Sequence, residues 1–99
     1  MVRKKEKFSR YDVADYLKSE KDLAAYLDAC MEEAGDDATY IAAALGDIAR
    51  ARGMAQLAKD TGISREGLYK ALSPDGNPSL ATVLKVVKAL GLKLTTKVT

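Results

Sequence analysis

Apolar side chains recur at helical spacing along most of this chain, and turn residues punctuate the runs. Leu23, Leu27, Cys30, Met31 and Ala34 form one stripe and predict an amphipathic helix from Glu20 to Ala34, closed by Gly35. Asp36 or Asp37 is placed to cap a second helix that carries Tyr40, Ile41, Ala44, Leu45 and Ile48 inward and closes near Gly53. Residues 54–72, MAQLAKDTGISREGLYKAL, predict two short helices on either side of Gly62, with Ser64 capping the second. After the turn-rich stretch Ser73-Pro74-Asp75-Gly76-Asn77-Pro78-Ser79, the positions Leu80, Val83, Leu84, Val87 and Leu90 predict a last helix capped by Gly91, with Pro78 or Ser79 in an early position. Upstream, Met1 to Arg10 reads as a flexible arm and Asp12 to Leu17 as a short helix. The pattern is all-α, with a flexible basic arm over residues 1–11 and a single helical domain over 12–99.

The tail Leu92-Lys93-Leu94-Thr95-Thr96-Lys97-Val98 breaks the helical period. It alternates apolar or small residues with cations and is β-prone, so it reads either as one short C-terminal β-strand or as a frayed end. A lone strand is not stable, so the first reading requires a partner strand from a second copy or from another protein.

Within residues 54–72 the positions that packing constrains carry fitting residues. Ala58 is small where two helices cross, Gly62 sits where the turn needs φ > 0, and Ile63, Leu68 and Leu72 fall on one inward face. Ser64, Arg65, Glu66, Tyr69 and Lys70 are left at the N-terminus and outer face of the second helix, where a DNA major groove would meet them. Arg65 suits a bidentate contact with guanine, Glu66 suits cytosine N4, and Lys70 lies one turn further along. An ordinary helical hairpin shares the small crossing residue and the glycine turn, but the turn-rich loop and covering helix that follow extend the match. Taken together these segments resemble the Cro/repressor (XRE-like) helix-turn-helix family. Gly67 lowers helix propensity by up to ~1 kcal/mol, and is either tolerated by packing or gives room for DNA; the sequence leaves both open.

Composition narrows the functional classes. Ninety-nine residues with 47% apolar and 30% charged content describe a soluble globular chain with a modest core. No run approaches the ~20 apolar residues of a membrane span, and the start MVRKKEKFSR lacks the apolar segment of a signal peptide, so a cytoplasmic location is expected. The single cysteine, Cys30, lies on the first apolar stripe and reads as a small buried hydrophobe. There is no histidine, which removes the common nucleophilic triads and most zinc sites, and neither a Walker loop nor a Rossmann glycine pattern occurs. An enzyme is not expected, and no cofactor or metal is called for.

The net charge of +2 hides an uneven distribution. Residues 1–11 hold five basic and one acidic side chain, residues 12–37 two basic and nine acidic, and residues 38–99 nine basic and four acidic. A basic helix-turn-helix half suits a polyanion, whereas DNA repels the acidic stretch. That stretch is either a solvated helical face or a surface for a basic partner. Asp22, Asp28, Glu32 and Glu33, which alternate with the apolar stripe, are its candidate contact residues.

The likeness becomes narrower over the whole chain. Asp47 to Met54, Gly62 to Ser73 and Gly76 to Leu80, with Tyr26-Leu27 and Gly35-Asp36 upstream, resemble the HigA-like addiction-module antidotes over roughly residues 12–94. That resemblance implies an antitoxin that neutralises a small basic toxin of the RelE/ParE-like class by direct binding and represses its own operon. It carries over Ser64, Arg65, Glu66, Tyr69 and Lys70 as DNA-binding residues and transfers no toxin-binding motif. A homodimer on double-stranded operator DNA is expected, since such proteins bind pseudo-palindromic sites as dimers. Two other readings stay open, a stand-alone phage-type repressor with structural acidic helices, and an interaction module with a degenerate helix-turn-helix.

Overall fold

A computed structural model describes residues 17–98, so the expected arm and the helix expected from Asp12 lie outside the described residues, apart from buried Leu17. The described chain is all-helical. Its elements are α1 (Glu20–Ala34), α2 (Ala38–Arg52), α3 (Met54–Thr61), α4 (Arg65–Ala71) and α5 (Leu80–Ala89). Local chemistry sets each start. Ser19, Asp37, Ser64 and Ser79 stand just before α1, α2, α4 and α5, and the side chain of each accepts a backbone N–H from three residues on. Asp37, not Asp36, is therefore the cap of α2. Pro78 lies before the Ser79 cap and outside the helix. Gly91 adopts the left-handed conformation expected of it, at φ 79°, and the Leu92 N–H reaches back to the Val87 carbonyl at 3.0 Å.

The helices close on one core. Leu23, Leu45, Ile48, Leu68, Leu72, Val86 and Leu90 are fully buried, so every helix except α3 contributes to its centre, and α3 adds Met54 and Leu57. Helix α1 packs on α2, α2 on α3, and α3 on both α4 and α5. One contact is unusually close. A Cβ at Gly46 in α2 would overlap the carbonyl oxygen of Leu72, at the end of α4, so α2 and α4 meet backbone to backbone at a residue that has no side chain.

Helix α5 departs from the expected face. Leu80 and Leu84 are 69% and 48% exposed, whereas Val86, which the expected stripe omitted, is completely buried. At about 100° per residue the buried arc is centred near Val83 and Leu90; Val86 falls within it and Leu84 falls about 120° away. Met31 likewise leaves the stripe of α1 at 43% exposure, while Leu23, Leu27 and Cys30 are buried. The tail from Leu92 to Val98 forms no strand within the single chain, as an unpartnered strand has nothing to pair with.

Candidate nucleic-acid interface

Helices α3 and α4 are joined by a turn of three residues whose geometry is fixed at several points. Gly62 sits at φ 78° and its N–H bonds the Ala58 carbonyl at 2.9 Å. The Thr61 hydroxyl donates to the Leu57 carbonyl at 2.8 Å and accepts from the Ile63 N–H at 3.1 Å. Thr61 thus braces the turn from within, a role that the apolar pattern does not display. Ser64 Oγ then accepts from Gly67 N at 3.0 Å and starts α4.

Helix α4 has only seven residues, too few to hold its shape by propensity. Leu68 and Leu72 anchor it in the core and so fix which way its other side faces. Ser64, Arg65, Glu66, Tyr69 and Lys70 are all exposed; at about 100° per residue Glu66 and Lys70 lie opposite Leu68, while Ser64 and Arg65 stand at the helix start. Gly67 has a local reason. An added Cβ would stand 3.1 Å from Ser64 Oγ and 3.2 Å from Ile63 Cγ2, pressing on the cap and the turn. Beside this surface, α3 exposes Lys59 and a Gln56 to Asp60 side-chain hydrogen bond of 2.9 Å.

The four acidic candidates do not form one surface. Asp28 and Glu32 are exposed one turn apart on α1, and Glu32 lies 3.8 Å from Lys97 of the tail. Asp22 and Glu33 lie about 120° around the helix from them. Both are only half exposed, contrary to the expectation for an alternating pattern. Asp22 accepts the Lys18 N–H at 3.2 Å, and Glu33 accepts the Tyr40 hydroxyl at 3.4 Å.

The α1–α2 contact also holds a polar cluster that the sequence reading did not single out. Asp47, 2% exposed, accepts the Tyr26 hydroxyl at 2.9 Å and an Arg50 guanidinium N–H at 2.9 Å. Burial, reinforced by the Asp47 carboxylate, pushes the Tyr26 phenol far above its ordinary pKa. Burial also raises Tyr40, with Cys30 as the next cause. The available signal was an acidic residue inside the apolar run from Ile41 to Ile48, with an arginine three positions on. The cluster offers hydrogen bonds and a retained proton rather than a nucleophile. Among the described residues no group of three metal-ligating side chains is gathered, and no helix is long and apolar enough to cross a membrane.

Comparison with known proteins places the sequence in a family. A family model described as "Probable addiction module antidote protein" matches residues 7–98. The chain belongs to that family. A protein of Haemophilus influenzae described as an uncharacterized protein is 56% identical over 88 residues, which is 89% of each chain. No solved structure matches. Membership in the antidote family supports an antitoxin role, consistent with the resemblance noted from the blocks around Asp47, Gly62 and Gly76.

Proposed function

We propose that this antidote-family protein is the antitoxin of a type II toxin-antitoxin module, acting in the cytoplasm. In this reading it neutralises a small RelE/ParE-like toxin by direct contact and represses its own operon as a homodimer. The observation that supports the DNA-binding half is the exposure of Ser64, Arg65, Glu66, Tyr69 and Lys70 at the start and on the outer surface of a helix that Leu68 and Leu72 anchor in the core. Arg65 reads guanine, Glu66 reads cytosine, and Lys70 and Tyr69 reach further along the groove. The toxin-binding half rests on family membership and on the carboxylates of residues 12–37, of which Asp28 and Glu32 are exposed, Asp22 is half exposed and Glu33 is turned toward Tyr40.

The test pairs two measurements on the purified full-length chain. Fluorescence anisotropy with DNA from upstream of its own gene is expected to give specific binding that weakens steeply with salt, as counterion release requires. Co-expression with the adjacent gene product is expected to rescue growth. Specific DNA binding without a neighbouring toxin gene supports the stand-alone repressor instead.

A further inference from the structure

The exposed side of α1 and the extended tail bound a groove of about 640 Å³. Ala24, Asp28, Met31 and Glu32 form the helix wall, Lys93 and Lys97 stand on the tail wall, and Leu27 lies between them. Three of the exposed large apolar side chains belong to these two segments, Met31 and Leu94 at 43% each and Val98, almost fully exposed. Among the described residues, no backbone N–H or carbonyl from Lys93 to Val98 has a hydrogen-bond partner. An extended segment with free backbone groups is a template for another strand.

Charge decides what fits. One wall is acidic at Asp28 and Glu32 and the other is basic at Lys93 and Lys97, with a single loose contact of 3.8 Å between Glu32 and Lys97. A uniformly basic partner would meet the tail lysines, and DNA would meet the helix carboxylates. A surface with adjacent acidic and basic rows is instead complementary to itself, because an isologous contact sets residue i against j and j against i. We propose that this groove is the interface between two copies of the chain, each inserting its tail between the other's tail and α1. This deepens the homodimer of the preceding reading.

The strand register follows from cross-strand pairing. Antiparallel tails related by a two-fold axis at Thr95 would set Lys93 opposite Lys97, a like-charge pair. An axis at Thr96 sets Leu94 opposite Val98 and Thr95 opposite Lys97, joining the apolar positions and separating the cations. Of these two registers the one proposed has Thr96 on its axis. Each copy's lysines then come beside the other copy's Asp28 and Glu32, and Met31 is covered. Among the described residues, the carboxylates outside the groove that a basic toxin could meet include Glu20, half-exposed Asp22 and, in the α1–α2 turn, Asp36.

Sedimentation and crosslinking test this on the full chain, with circular dichroism reporting the fold. Wild type is expected to be a dimer. Asp28→Lys/Glu32→Lys and Lys93→Glu/Lys97→Glu are each expected to raise the dimer dissociation constant by at least about tenfold. An equimolar mixture of the two variants is expected to form a heterodimer, since each supplies the charges the other lacks. Thr96→Cys is expected to give a disulfide-linked dimer on mild oxidation, whereas wild type, with only buried Cys30, gives none. Charge-reversed variants that remain dimeric alone, a mixture that stays monomeric, or no crosslink at Thr96→Cys would each overturn the interface while leaving a dimer formed elsewhere intact. A monomeric wild type would overturn the interface and the homodimer together.

Discussion

The Tyr26 hydroxyl donates to Asp47 Oδ2 at 2.9 Å and so ties α1 to α2 through a carboxylate that is almost completely removed from solvent. Arg50 Nη2 holds the other oxygen at 2.9 Å. A buried carboxylate is expensive unless its oxygens are satisfied, so removing one donor costs more than the bond itself contributes. Tyr26→Phe is expected to destabilise the fold by about 1.5–3 kcal/mol, read from urea unfolding. A double-mutant cycle with Asp47→Ala is expected to show coupling well above the ~0.5 kcal/mol limit of independent sites; simple additivity would mean that the pair contributes little.

The same pair predicts an alkaline limb of stability. The folded state holds the Tyr26 phenol above its unfolded value, so its contribution is fully present below pH about 10 and is lost as pH rises toward the folded pKa. Thermal unfolding midpoints are expected to change little through Tyr26 between neutrality and pH about 9.5 and to fall beyond it. Tyr26→Phe, lower throughout, is expected to fall less steeply. Parallel curves above pH 10 would remove Tyr26 as the cause.

Gly46 bears on both fold and site, because any Cβ there meets the Leu72 carbonyl at the end of α4. Gly46→Ala improves helix propensity by about 1 kcal/mol yet forces two backbones apart, and overpacking of this kind costs about 1–3 kcal/mol. A net loss of stability is expected and, if α4 carries the proposed DNA contacts, weaker operator binding than the loss of folded protein accounts for. A stabilised Gly46→Ala protein would show that α2 and α4 separate easily.

What was legible in the chain was whatever one residue states locally. The α1 boundaries, the Ser64 cap, a cap at Asp36 or Asp37, the left-handed Gly62 and the Gly91 stop all follow from side-chain chemistry within a few positions, and the structure chooses Asp37 of the pair. Leu80 and Leu84 fit a helical stripe equally well, but which arc of α5 is buried depends on the surface it meets, and periodicity does not contain that surface. Gly46 and Asp47 escaped for the same reason: their meaning lies in Leu72 and Tyr26, 26 and 21 residues away. For the candidate site, the exposure of Ser64, Arg65, Glu66, Tyr69 and Lys70 on α4 was readable because Leu68 and Leu72 already marked the positions that enter the core. The acidic candidates were not, since Glu33 and Glu32 are sequence neighbours that point to Tyr40 and to Lys97 respectively.

Arg65 and Lys70 are expected to separate base reading from phosphate attraction. Arg65→Ala should cost about 1–3 kcal/mol of operator binding and relax preference at one base pair. If Lys70 meets phosphate, Lys70→Ala should weaken all sequences alike and reduce the salt slope by about one. Competition binding with operator and scrambled DNA across a salt series reads both. Unchanged preference and slope in the double variant would remove α4 from the groove.

The last prediction concerns the toxin. If the second copy covers Asp28 and Glu32, a basic toxin is steered by the carboxylates outside that groove, and Asp22 and Asp36 are suitable probes because Asp37 is committed to capping α2 through the Tyr40 N–H at 3.1 Å. Asp22→Lys/Asp36→Lys is then expected to slow association with the co-expressed toxin several-fold at low salt, with the difference shrinking as salt screens it. Asp28→Lys/Glu32→Lys should disturb the dimer more than the toxin on-rate. Leu27→Ala supplies the contrast: it opens a cavity beneath the groove and is expected to cost about 2–5 kcal/mol of stability without a specific effect on the rate. Stopped-flow association over a salt series distinguishes these variants. Wild-type rates for Asp22→Lys/Asp36→Lys at every salt, with slow association for Asp28→Lys/Glu32→Lys instead, would put the toxin in the groove and the second copy elsewhere.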